Sequence, residues 1–365
     1  MIPSRSEYLK QQSRDGQNII GVMPALYPKE LLYAFDLLPA EIWDPPGEIV
    51  KANTHLQTTI CPIVKQSMEF ILGEPEIVNA GYLFPHTCDS LQNMGSQVKD
   101  MIGSPVPVFT FYNPKAAFNK TTRKYYLEII RAFQLDLENV FGPLDLGKLK
   151  HACELGLKID TRRIELQEAR MADRLSLNNQ EYFKVIRASE FMQPADYLQL
   201  LDEIEIHDQP AKSYHSRFLV SGILPPNDLT LSFLDELKVG VVADDLLCGS
   251  RRIPITIMDT PDDPFEYLTE RFFLQPPCST RAGSLDQRQH HLMKLINDSQ
   301  AQGILFNIVK FCEPELFDHR LLAKTFKEQG TPTLTIETEL HPGLSGQTKT
   351  RLEAFIEMLG DEVGI

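Results

Sequence analysis

An apolar run, Ile77 to Phe84, meets Pro85 and then Cys88-Asp89-Ser90. The run reads as a buried strand that Pro85 ends, and the triplet after it opens a helix. A strand feeding directly into a helix is the unit of an open α/β sheet. In such sheets, sites are built at the carboxyl ends of the strands. Cys88 therefore occupies a turn suited to chemistry. Unpaired amides and the helix dipole favour an anion there, which predicts a thiolate.

The same unit recurs along the chain. Asn18 to Val22 reads as a strand, Lys29 to Phe35 as a helix, and Ala40 to Trp43 as a second strand closed by Asp44-Pro45-Pro46-Gly47. No Gly-x-Gly-x-x-Gly accompanies this βαβ opening, so the usual dinucleotide fingerprint is absent. Cys61-Pro62 starts a helix to Leu72, stopped by Gly73-Glu74-Pro75, with proline at its first position. A helix then runs from Cys88 to about Met101, Pro105 to Phe111 is a strand, and Tyr125 to Phe141 is a long amphipathic helix ending at Gly142-Pro143.

Between Asp145 and about His207 only helical spacing is visible, and Cys153 falls on an apolar face there as a core residue. A second α/β pattern follows. It has strands at Arg217 to Ile223, Val239 to Ala243, Gly303 to Val309 and Thr333 to Ile336. Its helices are expected up to Lys238, at Pro264 to Phe273, Asp286 to Gln300, after Cys312, and at Thr348 to Leu359. The expected fold is α/β, with two Rossmann-like (flavodoxin-like) parallel-sheet domains, 1–143 and 213–365, joined by a helical segment, 144–212.

Composition narrows the partners. With 36 basic against 50 acidic residues the net charge is −14, which argues against nucleic acid or an anionic membrane surface. The polar start, Met1 to Gln17, lacks the apolar core of a signal peptide, and no run approaches the ~18 apolar residues of a membrane span. A cytoplasmic protein with reduced cysteines is expected. Cys61, Cys88 and Cys312 each precede a helix start, and two of them follow buried strands. No Cys-x-x-Cys pair exists, so the pattern is not that of a structural zinc site. Spacing alone names no metal.

Several ordered motifs name a family. Gly21-Val22-Met23-Pro24 through Pro28-Lys29-Glu30-Leu31-Leu32, with Leu37-Leu38-Pro39, resembles the N-terminal motif of the 2-hydroxyacyl-CoA dehydratase and benzoyl-CoA reductase family. Thr59-Ile60-Cys61-Pro62, Phe84-Pro85-His86-Thr87-Cys88-Asp89, Phe311-Cys312-Glu313-Pro314 and Gly346-Gln347-Thr348 with Thr350-Arg351-Leu352-Glu353-Ala354-Phe355 follow in order. The resemblance implies a [4Fe-4S] cluster held by Cys61, Cys88 and Cys312, with one iron left free of protein thiolate. It implies one-electron reduction of a CoA thioester to a radical anion, after which a dehydratase expels the α-hydroxyl and a reductase yields a cyclic dienoyl-CoA. It also implies two partners: a related cluster-bearing subunit and a separate ATP-hydrolysing iron–sulfur activator. The absence of a P-loop in this chain agrees with ATP being used elsewhere. Met23-Pro24 and Phe84-Pro85 with Asn93 are closer to the small subunit of a benzoyl-CoA reductase, whereas the C-terminal motif is closer to the dehydratases.

Other residues carry two readings each. His86 is a proton source or a structural loop histidine, and Asp89 a tuning group or a first-turn carboxylate. Asp244 and Asp245 close a strand, and only one of two adjacent side chains can face a cleft; Asp244 is taken as the candidate. Gly346 and Gln347, after Ser345, offer amides to a CoA phosphate or thioester oxygen, with Lys349 and Arg351 adding charge. Cys248 and Cys278 are reserve thiols, which would enlarge the cluster. A noncatalytic electron relay or scaffold subunit is the remaining alternative.

Overall fold

The computed structural model describes residues 2–73, 76–116, 118–259, 262–281, 283–340 and 343–361. The first half runs α1 (Arg5–Arg14), β1 (Asn18–Val22), α2 (Lys29–Ala34), β2 (Leu37–Glu41), α3 (Pro62–Leu72), β3 (Gly81–His86), α4 (Asp89–Ser96), β4 (Val108–Tyr112) and α5 (Lys120–Phe141). Helices α6 (Leu146–Met171), α7 (Asn179–Ala188) and α8 (Pro194–Asp202) follow. The second half runs β5 (Ser216–Gly222), α9 (Asp228–Glu236), β6 (Val239–Leu246), α10 (Pro264–Phe273), α11 (Leu285–Ser299), β7 (Gly303–Val309), α12 (Glu313–Glu328), β8 (Thr333–Thr338) and α13 (Gly346–Asp361).

Among the described residues the strands form two four-stranded parallel sheets, ordered β2-β1-β3-β4 and β6-β5-β7-β8. The order is the same in both halves, and it reverses between the first and third strand of each, as in the flavodoxin-like arrangement. Strands β2 and β7 are buried along their whole length, as parallel strands covered by helices must be. One apolar core runs from Ile19 and Leu38 through Leu166 and Phe183 to Phe218 and Phe355. A smaller cluster around Leu219, Ile304 and Phe326 belongs to the second sheet. No helix among the described residues is long and apolar enough to cross a membrane.

Helix α6 links the halves through buried charge. Its Arg170 donates to the Val241 carbonyl at 3.0 Å and Arg163 to the Gly249 carbonyl at 3.2 Å, both in the second half. Its N-terminus is capped by Asp145, whose carboxylate accepts from the amides of Gly147 and Lys148.

Several expectations shift. The strand expected over Ala40 to Trp43 runs Leu37–Glu41, paired along its length with β1. The helix expected from Tyr125 starts at Lys120, capped by Asn119, and the last helix starts at Gly346, two residues before the expected Thr348. The strand expected over Ile77 to Phe84 begins only at Gly81, whose φ of +143° and close approach to the Pro107 carbonyl leave no room for a Cβ. It also continues through Pro85, paired with Phe111, to His86. Pairing of β3 with β1 stops at Leu83, so the missing Pro85 N–H removes no ladder bond on that side. The polar N-terminus folds into α1, capped by Ser4, although Leu9 is its one buried residue. The helix expected to Met101 ends at Ser96 and gives way to a π-helical turn, Gln97–Ile102. Glu74 and Pro75, read as part of a helix stop, lie outside the described residues.

Candidate metal centre

Cys61, Cys88 and Cys312 are the N-cap residues of α3, α4 and α12. Cys88 and Cys312 occupy equivalent places in the two halves, each after the third strand of its sheet. Pro62 and Pro314 begin the helices after Cys61 and Cys312, where a missing N–H costs nothing. Phe311, with φ +57°, turns the chain from β7 so that the Cys312 amide closes on the Val309 carbonyl at 3.1 Å. A left-handed bulky residue costs backbone energy, and such costs concentrate where a side chain must be aimed.

None of the three thiols completes a side-chain capping hydrogen bond, yet amides of each first turn approach the sulfur: Ile63 and Val64 at Cys61, Ser90 and Leu91 at Cys88, Glu315 at Cys312. Cys61 and Cys312 are both buried and lie within side-chain hydrogen-bonding reach of each other. The Cys312 thiol is held protonated by its partner and by burial, and Cys61 ionises below the ordinary thiol range because Cys312 donates to it. Cys88 feels the charge of Cys61, but burial is the largest influence and pushes its thiol up. The thiolate expected there from the helix terminus alone is thus reversed, because desolvation outweighs the dipole.

No group of three or more His, Cys, Asp or Glu among the described residues is arranged to hold a single metal ion. A cluster makes a different demand, since its thiolates bind separate irons instead of converging on one point. All six cysteines are free of disulfides. Three soft donors, with amide N–H groups aimed at the sulfurs, suit an iron–sulfur cluster better than a hard cation.

Beneath Cys312 lies a buried ionic network that the sequence did not reveal. Glu315, one turn into α12, accepts from Arg251 at 2.5 Å and from Ser279 at 2.5 Å. Arg251 also donates twice to Asp245, at 2.8 and 2.7 Å. Arg288 reaches Asp245, Glu315 and Asp318. Its sequence signals are Asp245, weighed with Asp244 at the end of a strand, and Glu315 three positions after Cys312. The flanking arginines hold both carboxylates below their ordinary range, Glu315 at about 2. A carboxylate with a depressed folded pKa stabilises the fold above its unfolded pKa, near 4, and loses that contribution as pH falls through the folded value. The unfolding free energy measured in urea is therefore expected to drop between pH 5 and pH 2, by on the order of 2 kcal/mol for Glu315 alone. In Glu315→Gln that part of the slope should vanish.

His86 is half-buried, edge-on to Tyr112 with ring centroids 5.5 Å apart, and 3.8 Å from Asp89. Burial and then the Lys115 charge lower its pKa. Asp244 is buried and braces its own turn, accepting from the Ser250 amide at 2.9 Å and the Leu246 amide at 3.2 Å. Asp245 faces the network instead. Gly346 and Gln347 are exposed in the first turn of α13, which Ser345 caps through the Thr348 amide at 3.1 Å. Lys349 lies over the Phe233 ring and Arg351 donates to the Thr335 carbonyl.

Cys153 and Cys248 have other neighbours, Glu30 with Arg271 and Glu190 with Arg187, and burial raises both thiols. Cys278 is nearer the centre: Arg251 lies 3.8 Å from its sulfur, and it shares Lys115 with Cys88 as an electrostatic neighbour.

A cleft of about 1400 Å³ opens along the carboxyl ends of β2, β5, β7 and β8, lined by Ile42, Leu224, Val309 and Thr338 and covered by α1. No cysteine lines it, although Val309 lies just ahead of Cys312.

Residues 24–359 match the family described as 2-hydroxyglutaryl-CoA dehydratase, D-component. The chain is 27% identical over 365 residues to the (R)-phenyllactyl-CoA dehydratase beta subunit of Clostridium sporogenes, covering 96% of this chain and 94% of that one. It is 26% identical over 355 residues to the lactoyl-CoA dehydratase subunit beta of Anaerotignum propionicum, covering 95% and 93%. A benzoyl-CoA reductase subunit of Thauera aromatica is 23% identical over 371 residues, covering 96% and 92%.

Proposed function

Because the chain belongs to the 2-hydroxyglutaryl-CoA dehydratase D-component family, we propose that it is the [4Fe-4S]-bearing subunit of an enzyme that acts on CoA thioesters, of the dehydratase or aryl-CoA reductase type. The observation that carries this reading is the placement of Cys61, Cys88 and Cys312 at three helix N-caps, two of them at equivalent turns of the two sheets. When bound, the cluster would supply a single low-potential electron to the thioester, giving a radical anion.

The chain's own residues would do the rest. Amides of Ile63, Val64, Ser90, Leu91 and Glu315 orient toward the three sulfurs and would take up part of their charge. The Asp245–Arg251–Glu315 network fixes the start of α12 and hence Cys312. His86, kept neutral by burial, would hold a proton two residues from Cys88. The cleft at the strand ends is ample for an extended CoA arm. Gly346 and Gln347, which are not part of its lining, are separately proposed to offer amides to a CoA phosphate or thioester oxygen. Asp244 is the proposed brace of the turn above Arg251. Domain limits at 143 and 213 are proposed, with one sheet on either side of the helical segment. A related cluster-bearing subunit and an ATP-hydrolysing iron–sulfur activator are the proposed partners, in keeping with relatives named as subunits.

Anaerobic purification with the partner subunit should give about four iron and four sulfide per chain. Turnover with the reduced activator on an (R)-2-hydroxyacyl-CoA or on benzoyl-CoA then assigns the branch. A cluster spectrum that acyl-CoA leaves unchanged would favour an electron relay, and more than about four irons per chain would bring in Cys278. Absence of iron from protein handled without oxygen would end the reading.

A further inference from the structure

We propose that Lys115 is a positioning residue of this centre: its ammonium ties the turn that carries Cys88 to the loop that carries Cys278, and its charge raises the reduction potential of a cluster held there. The proposal rests on the cluster reading above. Lys115 follows β4 in the first half, and its Nζ donates to the Thr87 carbonyl at 2.7 Å and to the Thr280 carbonyl at 2.8 Å. Thr87 immediately precedes Cys88, and Thr280 lies two residues beyond Cys278, in the second half. One ammonium thus pins two cysteine-bearing segments from opposite halves.

The choice of acceptors matters. Several buried cations are matched by carboxylates, Arg251 by Asp245 and Glu315, Arg252 by Glu41 and Arg271 by Asp160, while Arg163 and Arg170, on α6, donate to backbone carbonyls. Lys115 makes no ion pair with a carboxylate among the described residues, and its two acceptors are backbone carbonyls. A cation held by carbonyl dipoles keeps its net charge, which acts on what lies nearest. Those neighbours include the sulfurs of Cys88 and Cys278. Arg281 repeats the pattern: it is buried, donates to the carbonyls of Phe272, Gln275 and Pro276, and has Cys278 as its electrostatic neighbour. Lys115 and Arg281 thus both set carbonyl-held positive charge beside Cys278, and Lys115 sets it beside Cys88 as well. Positive charge favours the more negative, reduced form of a cluster and so raises its potential.

The test is an anaerobic redox titration of the loaded subunit with a titanium(III) reductant, following the EPR signal of the reduced cluster in wild type, Lys115→Met, Lys115→Gln and Lys115→Arg. Lys115 is an exposed residue, so solvent screens its charge and the effect is moderate. At a fixed potential the reduced-to-oxidised ratio should fall about threefold in the Met and Gln variants, a shift of ~30 mV for a one-electron couple at 59 mV per tenfold. Arg should retain the wild-type value. Should Met lose iron, the Gln and Arg pair carries the comparison. Equal midpoints in Gln, Arg and wild type would overturn the electrostatic role.

The clamp has its own readout in iron-free protein. Amide exchange at Cys88–Ser90 and at Ser279–Arg281 should accelerate together in Lys115→Met. Exchange unchanged in both segments would overturn the clamp. Wild-type protein without iron would instead count against the cluster reading and leave this exchange test standing.

Discussion

Cys312→Ser is expected to lose its iron while folding at least as well as the wild type, and the same holds for Cys61→Ser and Cys88→Ser. N-cap positions favour Ser, Thr, Asp or Asn because a short side-chain oxygen accepts an orphan amide of the first turn. This chain uses such residues at α1, α5, α6, α7, α9 and α11. At α3, α4 and α12 it uses cysteine, and none of the three completes a capping bond. Serine at these sites would restore a good cap, adding up to about 1 kcal/mol to the stability of the metal-free chain. It would also remove one of the three sulfur donors. Iron per chain, measured after anaerobic reconstitution, should fall from about four to below one, with an unchanged or higher urea midpoint. A structural role predicts the opposite: full iron and a lower midpoint. Retention of iron in all three serine variants would falsify the cluster assignment.

The sequence disclosed the plan of the molecule because its strands are continuous apolar runs bounded by Pro, Gly and Asp, and its helices have clear starts. Gly303–Val309 and Pro62–Leu72 are observed at the expected residues. The three cysteines were legible for the same reason, since strand-to-helix turns are local features. Boundaries failed where a long-range contact decided them. The start of β3 is set by the approach of Gly81 to Pro107, and its passage through Pro85 by where pairing with β1 stops. The state of the Cys88 thiol also escaped, because local sequence reports the helix terminus but not the burial that overrides it. The residues around the thiols were hidden for a third reason. Lys115, Arg251 and Glu315 are ordinary surface-type residues in the sequence, brought together from separate elements, with Arg251 and Glu315 sixty-four positions apart. Only the folded chain shows that Arg251 and Glu315 are buried and that the Lys115 ammonium meets the carbonyls of Thr87 and Thr280.

Glu41→Gln should destabilise the protein by about 3–5 kcal/mol, the usual cost of leaving buried charge uncompensated. Glu41 ends β2 in the first half. Its carboxylate accepts from Arg252 of the second half at 2.9 and 2.8 Å, from Lys29 at 2.7 Å, from Tyr27 at 2.8 Å and from Trp43 at 2.8 Å. The two cations hold it well below the ordinary carboxylate range despite full burial. Arg252→Met should cost a similar amount, because Glu41 then keeps only Lys29 as a cationic partner. The double variant should cost clearly less than the sum of the two. Without Glu41 and Arg252 the remaining charge is Lys29, whose pKa is already lowered to about 8 by burial, so it can shed its proton cheaply once its partner is gone. A coupling energy of about 2 kcal/mol or more from the double-mutant cycle is therefore expected in urea unfolding. This clamp lies across the two halves, beside the cleft that Glu41 itself lines. Its loss should also let the halves unfold in separate steps, seen as a lower apparent slope in urea. Strictly additive single costs would mean that Glu41 and Arg252 stabilise the chain independently and that the union of the halves rests on their shared apolar core.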